Sequence, residues 1–134
     1  MELRVMVVDD DKMFNLIAKV LLRDTGIACN PTICTNGEEA LETIGQEIAL
    51  DKFFLVFLDI NMPVKNGWQV LDALQAFPYP ENIHVVIVTS SINKADRKRA
   101  KTYPQLIDYL IKPIKRESLL ALKSSSYLTT FFSY

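Results

Sequence analysis

Histidine and cysteine are almost missing from this sequence, which has one histidine, His84, and two cysteines, Cys29 and Cys34. A lone histidine with no thiol or second imidazole beside it does not make a transition-metal site, so His84 reads as a residue near the start of a strand. Cys29 and Cys34 lack the Cys-x-x-Cys spacing, and they read as structural thiols rather than a disulfide or metal site. If both lie on one strand, their odd offset points them to opposite faces. Charge of one sign is also lacking. Lys and Arg total 15 against 16 Asp and Glu, a net charge of −1, so no global field draws nucleic acid or an anionic membrane. The longest wholly apolar run, Phe53–Leu58, is far too short to cross a bilayer. There is no internal repeat, no low-complexity linker and no signal-peptide pattern in Met1-Glu2-Leu3-Arg4; the expected location is the cytoplasm.

What is present is the balance of a folded protein. The 134 residues are 49% hydrophobic and 23% charged, which suits one domain with a sizeable core. Apolar runs alternate with helical stripes along the whole chain. Leu3–Val8, Cys29–Cys34, Phe53–Leu58, Ile83–Val88 and Leu106–Ile111 read as strands. Between them, Met13, Leu16, Ile17, Val20 and Leu21 mark an apolar stripe on a helix over Lys12–Arg23, closed by Gly26. Ala40, Leu41, Ile44 and Ile48 mark a second helix from Glu38, after an Asn36-Gly37 turn. Val70, Leu71 and Leu74 mark a third over Gly67–Phe77, with Trp68 partly buried on it. Asn93 caps a fourth that runs from Lys94 to about Thr102, and a fifth starts at Arg116. Five repeats of strand then helix predict an α/β fold, a parallel sheet covered on both faces. Right-handed crossovers place all strand C-terminal ends along one edge, where sites of such folds lie.

The residues that follow the strands are therefore the informative ones. Strand one ends in Asp9-Asp10-Asp11, strand three in Asp59, strand four in Thr89-Ser90 and strand five in Lys112-Pro113. Clustered carboxylates repel and are stable as anions only with a cation between them, and all-oxygen ligands select a hard ion such as Mg²⁺. Lys112 adds a fixed positive charge opposite the metal, and the two form a cradle for a dianionic phosphoryl group, with Thr89 as a neutral donor. An aspartate nucleophile needs no separate base, because its carboxylate is already ionised at neutral pH. The absence of a catalytic histidine fits that chemistry.

Four motifs then align in order: Val7-Val8-Asp9-Asp10-Asp11, Leu58-Asp59-Ile60-Asn61-Met62-Pro63 with Gly67, Val88-Thr89-Ser90-Ser91, and Tyr109-Leu110-Ile111-Lys112-Pro113. Together they resemble the receiver domain of two-component response regulators, of the single-domain chemotaxis-receiver kind, over residues 1 to about 125. The resemblance implies a flavodoxin-like (βα)5 fold, a five-stranded parallel sheet in the order 2-1-3-4-5, with residues 126–134 as the end of the last helix or a tail. It implies that Asp59 is the phosphoacceptor, Asp10 a direct Mg²⁺ ligand and Asp9 an acid that reaches the metal through water. The backbone carbonyl of Asn61 is implied as a further ligand, Thr89 and Lys112 as phosphoryl-binding groups, and Tyr109 as the aromatic that moves on activation. The Lys112–Pro113 bond is implied to be cis. Asp11, the third acid of the run, reads as a helix cap or a solvated group.

The expected function is that of a phosphoacceptor switch rather than a turnover enzyme, with only self-phosphorylation and self-dephosphorylation chemistry of its own. A sensor histidine kinase or histidine phosphotransfer protein would donate the phosphoryl group, and a downstream protein target would read the result. No nucleic acid or membrane is expected as a direct partner, and the protein is expected to be a monomer or weak homodimer. An aspartate-nucleophile phosphatase would need a second acid two residues after the nucleophile, and that position is Asn61. A non-phosphorylated pseudo-receiver would lack one of the acid, Thr or Lys positions, and none is missing. The basic run Lys94–Lys101 has no interleaved aromatics and reads as a solvated or protein-docking face. The aromatic tail Tyr127–Tyr134 is either the frayed end of the last helix or a contact with a partner. No sequence remains for an effector domain, so output is expected to come through binding unless the chain is a piece of a longer protein.

Overall fold

Long β-branched and aromatic runs with no interior proline or glycine form the centre of the molecule. The computed structural model describes residues 1–132. In it, strands β1 (Glu2–Val8), β2 (Thr32–Cys34), β3 (Lys52–Leu58), β4 (Ile83–Thr89) and β5 (Leu106–Ile111) make one sheet in the order β2-β1-β3-β4-β5. All four pairings are parallel. Helices α1 (Lys12–Asp24), α2 (Gly37–Glu47), α3 (Gly67–Leu74), α4 (Lys94–Ala100) and α5 (Arg116–Lys123) alternate with the strands, and a short α6 (Thr129–Phe132) follows.

The central strands β1, β3 and β4 are largely buried on both faces, and alternation assigns each residue to a layer. Met6, Val8, Phe54, Val56, Leu58, Val85 and Ile87 join Ile44, Val70, Leu71 and Leu74 in one core. Val5, Val7, Leu55, Phe57, Val86 and Val88 join Phe14, Ala18, Leu22, Leu119 and Leu122 in the other. Burying each large apolar side chain here is worth about 1.5–3 kcal/mol, and Phe54, Phe57, Leu55 and Leu58 of β3 are fully enclosed.

Several expectations need correction. The core-facing residues of α1 are Phe14, Ala18 and Leu22. Most of the apolar stripe lies on the outer face: Met13 is 65% exposed, Leu16 58%, Ile17 47% and Val20 46%, while Leu21 is half-buried against the core. Periodicity finds a stripe but not its direction, and α1 carries apolar residues on both sides. Strand β2 covers only Thr32–Cys34, so Cys29 lies outside it, exposed, while Cys34 is buried; both thiols are free. Helix α3 stops at Leu74 rather than Phe77, and α4 at Ala100 rather than Thr102. Trp68 is buried, with the Arg99 guanidinium 4.5 Å above its ring.

The C-terminal segment is better ordered than a fraying helix end. Leu128 is fully buried in the α1–α5 core, Phe131 and Phe132 pack on that core, and Phe131 meets Phe53 at 4.9 Å between ring centroids. The last two tail residues, Ser133 and Tyr134, lie outside the described residues. His84 is the second residue of β4 and stacks on Phe53 at 4.3 Å.

Candidate functional site

The sheet's own ladder brings the polar strand ends together. The Asp9 N–H donates to the Cys34 carbonyl at 3.0 Å, and the Asp59 N–H to the Val8 carbonyl at 3.1 Å. On the far side of β3, the Lys112 N–H donates to the Thr89 carbonyl at 2.8 Å. The residue after each of these strands is thus held in register with its neighbour, and its side chain emerges at one edge. The β1–β3 boundary is where the chain order reverses, the usual place for a site in a parallel sheet.

Local devices fix each group further. Asp11 caps α1, its carboxylate accepting from the N–H groups of Met13 at 3.0 Å and Phe14 at 3.2 Å. The buried Asn15 amide donates to the Asp9 carbonyl at 2.9 Å, which ties the loop to the helix. The Asp59 carboxylate accepts from the Asn61 N–H at 3.2 Å. Gly67 opens α3 directly beneath that loop. A Cβ there would lie 2.6 Å from the Asp59 carbonyl oxygen and from the Ile60 Cα, so only glycine lets the helix approach so closely. Val64, in the same loop, has φ of 68° and is 96% exposed, an uncommon conformation for a β-branched residue.

Asp9, Asp10 and Asp59 each offer a carboxylate oxygen, all within 4.8 Å of one another. Asp9 and Asp59 are buried, whereas Asp10 is exposed. The Lys112 ammonium lies 2.7 Å from Asp9 Oδ2 and 3.6 Å from Asp59 Oδ2, and 4.3 Å from the centre of the Phe14 ring. Burial, reinforced by the negative charge of Asp9, pushes the Asp59 carboxyl above the usual carboxylate range, against the Asn61 N–H and Lys112. Burial pulls Lys112 down, but its hydrogen bond to Asp9 and the charge of Asp59 outweigh this and raise it. Three carboxylates against one ammonium leave a cluster two charges short of neutral, all of it hard oxygen donors. That donor set fits a divalent ion such as Mg²⁺.

Asp9, Asp10, Asp59 and Lys112 are thus brought into one cluster, with the Asn61 backbone attached to it. Thr89, fully buried, ends β4, and its hydroxyl accepts from the Ser91 N–H at 3.2 Å. Tyr109 is turned inward on β5, its hydroxyl donating to the Ser91 carbonyl at 3.3 Å. The Arg97 guanidinium covers the Tyr109 ring at 4.8 Å. The Lys112–Pro113 bond is cis. Asp11 is a cap and not a member of the carboxylate cluster. Two residues at the site, Phe14 and Asn15, escaped the sequence reading; they carried a faint signal, as non-stripe residues in the first turn after the acid run. Ser91 entered it only as the last residue of the Thr89 motif, with no role assigned.

Comparisons with known proteins agree with one another. A family model described as the response regulator receiver domain matches residues 5–123. Over 118 residues the chain is 30% identical to the transcriptional regulatory protein CpxR of Escherichia coli K12, covering 88% of this chain and 46% of that one. The chain therefore spans about half the length of that relative. Among solved structures, a two-component response regulator from Cytophaga hutchinsonii superposes with a TM-score of 0.81 at 25% identity, over 90% of this chain and 93% of that one. The receiver domain of the sensor histidine kinase PA1611 from Pseudomonas aeruginosa, described with a magnesium ion coordinated in its active-site cleft, superposes with a TM-score of 0.71. It is 21% identical, over 91% of this chain and 94% of that one.

Proposed function

We propose, on the premise that this chain belongs to the response regulator receiver domain family, that Asp59 accepts a phosphoryl group from a phosphohistidine on a partner protein. The observation that carries this reading is the convergence of Asp9, Asp10 and Asp59 within 4.8 Å beside the Lys112 ammonium. A carboxylate oxygen of Asp59 attacks phosphorus, the P–N bond to the donor imidazole breaks, and the imidazole leaves with the electron pair and is protonated. Lys112 would turn its ammonium from Asp9 toward the new phosphoryl oxygens, and the Thr89 hydroxyl would donate to one of them. A magnesium ion held by Asp10 and Asp59, with Asp9 and the Asn61 carbonyl, would neutralise the charge on the phosphoryl oxygens. Hydrolysis of the acyl phosphate resets the switch, so the protein is a phosphoacceptor and not a turnover enzyme.

A protein donor is supported by the exposed apolar stripe of Met13, Leu16, Ile17 and Val20 on α1, which begins three residues after Asp10. Such a stripe at the mouth of a polar cleft suits docking of a second protein rather than entry of a small metabolite. A sensor histidine kinase or a histidine phosphotransfer protein is the donor in this reading, and a protein target reads the surface around α4 and Tyr109. The setting is the cytoplasm. Among the described residues no helix is long and apolar enough to cross a membrane. We assign the receiver unit to residues 1–125 and treat 126–134 as its C-terminal appendage.

Incubation with acetyl phosphate and Mg²⁺ followed by intact mass measurement tests the reading. One phosphoryl addition is expected, and none in Asp59→Asn. Steady turnover of a chromogenic phosphomonoester would favour an aspartate-nucleophile phosphatase instead.

A further inference from the structure

Resting on the phosphoacceptor reading, we propose that Ser91 is the positioning residue that couples the state of Asp59 to α4 and Tyr109. Every polar group of this residue is engaged with a different part of the switch. Its N–H donates to the Thr89 hydroxyl at 3.2 Å, and its carbonyl accepts from the Tyr109 hydroxyl at 3.3 Å. Its hydroxyl donates to Asp96 Oδ2 at 2.7 Å and accepts from the Asn93 N–H at 3.3 Å. Asn93 caps α4 by accepting from the Ala95 N–H at 2.8 Å, and Asp96 lies in the first turn of that helix. Arg97, the next residue, covers the Tyr109 ring.

The physical consequence follows from the valence of Thr89. A hydroxyl offers one proton and two lone pairs. A phosphoryl oxygen that accepts a hydrogen bond from that proton draws Thr89 Oγ1 toward Asp59, and the Ser91 N–H follows the oxygen to keep it as its acceptor. A displacement of Ser91 moves three partners at once, because the groups that hold Thr89, Tyr109 and Asp96 belong to one residue. Helix α4 has only seven residues, too few to be stable in isolation. Its first turn is anchored to the preceding loop by the Ser91 hydroxyl and the Asn93 cap. With the Ser91–Asp96 bond in place, α4 travels with the loop. Without it, the loop responds to the phosphoryl group and the helix stays behind.

The test uses the full chain with Mg²⁺ and beryllofluoride, a phosphoryl mimic, read by fluorine NMR for occupancy of Asp59 and by backbone amide shifts. In Ser91→Ala we expect the fluorine signal of the adduct to match the parent, while the adduct-induced shifts over residues 94–100 fall by more than half. Ser91→Thr, which keeps the hydroxyl, restores them, and Asp96→Ala, which removes the acceptor, behaves as Ser91→Ala does. A full response over 94–100 in an occupied Ser91→Ala protein, whatever its melting temperature, overturns the assignment and leaves the phosphoacceptor reading standing. An absent adduct in the parent overturns that reading, and the assignment with it.

Discussion

Lys112 is bonded to Asp9 rather than to Asp59: its ammonium sits 2.7 Å from Asp9 Oδ2 and 3.6 Å from Asp59 Oδ2. Asp9 is buried, so this ammonium takes the place of water around its carboxylate. The ammonium is only a short movement away from whatever forms on Asp59, and it is held beforehand by a group that does not react.

Replacing Lys112 should therefore cost stability before it costs chemistry. Lys112→Met leaves a buried carboxylate without its charged partner, a loss on the order of 3–5 kcal/mol. We expect a lower melting temperature that Mg²⁺ partly restores, together with weaker labelling by acetyl phosphate. Thermal melts with and without Mg²⁺ check this; an unchanged melt would mean that Lys112 does not neutralise Asp9.

The three consecutive acids should separate by role. Asp10→Ala removes a carboxylate from the cluster, so Mg²⁺ affinity, read by titration calorimetry, should fall. Asp11→Ala removes only a cap, costing about 1 kcal/mol of stability with Mg²⁺ affinity retained. Mg²⁺ should also raise the melting temperature of the parent, since it binds a charge cluster that only the folded state assembles. Equal losses of affinity in the two variants would contradict the ligand assignment.

These roles show how far the sequence reaches. Asp9, Asp59, Thr89 and Lys112 were legible because each directly follows an apolar run that can only be a buried strand, and parallel strands expose their C-terminal ends together. The strand order rested on family resemblance. The α1 helix was legible from the spacing of Met13, Leu16, Ile17 and Val20, but not which side faces the core, because Phe14, Ala18 and Leu22 form a second apolar side. The partner of Lys112, the bond from Tyr109 to Ser91 and the packing of Leu128 arise from distances across the fold, which no local spacing encodes.

The exposed stripe gives a prediction of its own. Ile17→Ser with Val20→Ser touches residues that the core does not use, so stability should change by no more than about 0.5 kcal/mol at each site. Labelling by acetyl phosphate should be unchanged. Transfer from a phosphohistidine protein should slow roughly tenfold or more, the equivalent of about 1.4 kcal/mol of lost docking. Equal transfer by parent and variant would place the docking surface elsewhere.

His84 should make stability depend on pH. Burial against Phe53 and near Tyr127 lowers its pKa below the ordinary histidine value, with a backbone bond at Glu81 opposing the shift. Below the ordinary value the unfolded chain binds a proton that the folded protein resists. The contribution is therefore whole above that value and is lost as pH falls through it toward the folded pKa. Melting temperatures between pH 7.5 and 5.5 should decline in the parent and decline less in His84→Phe. Parallel slopes would show that another group titrates.

The central claim is that Asp59 carries the phosphoryl group. Borohydride reduces an acyl phosphate on aspartate to homoserine, which marks the acceptor permanently. After treatment with acetyl phosphate and Mg²⁺, reduction and trypsin digestion, the peptide Phe53–Lys65 should contain homoserine at position 59, and omission of Mg²⁺ should abolish it. Homoserine at position 9, 10 or 11 instead, or an unmodified Phe53–Lys65 from a protein that had gained one phosphoryl mass, would contradict the account.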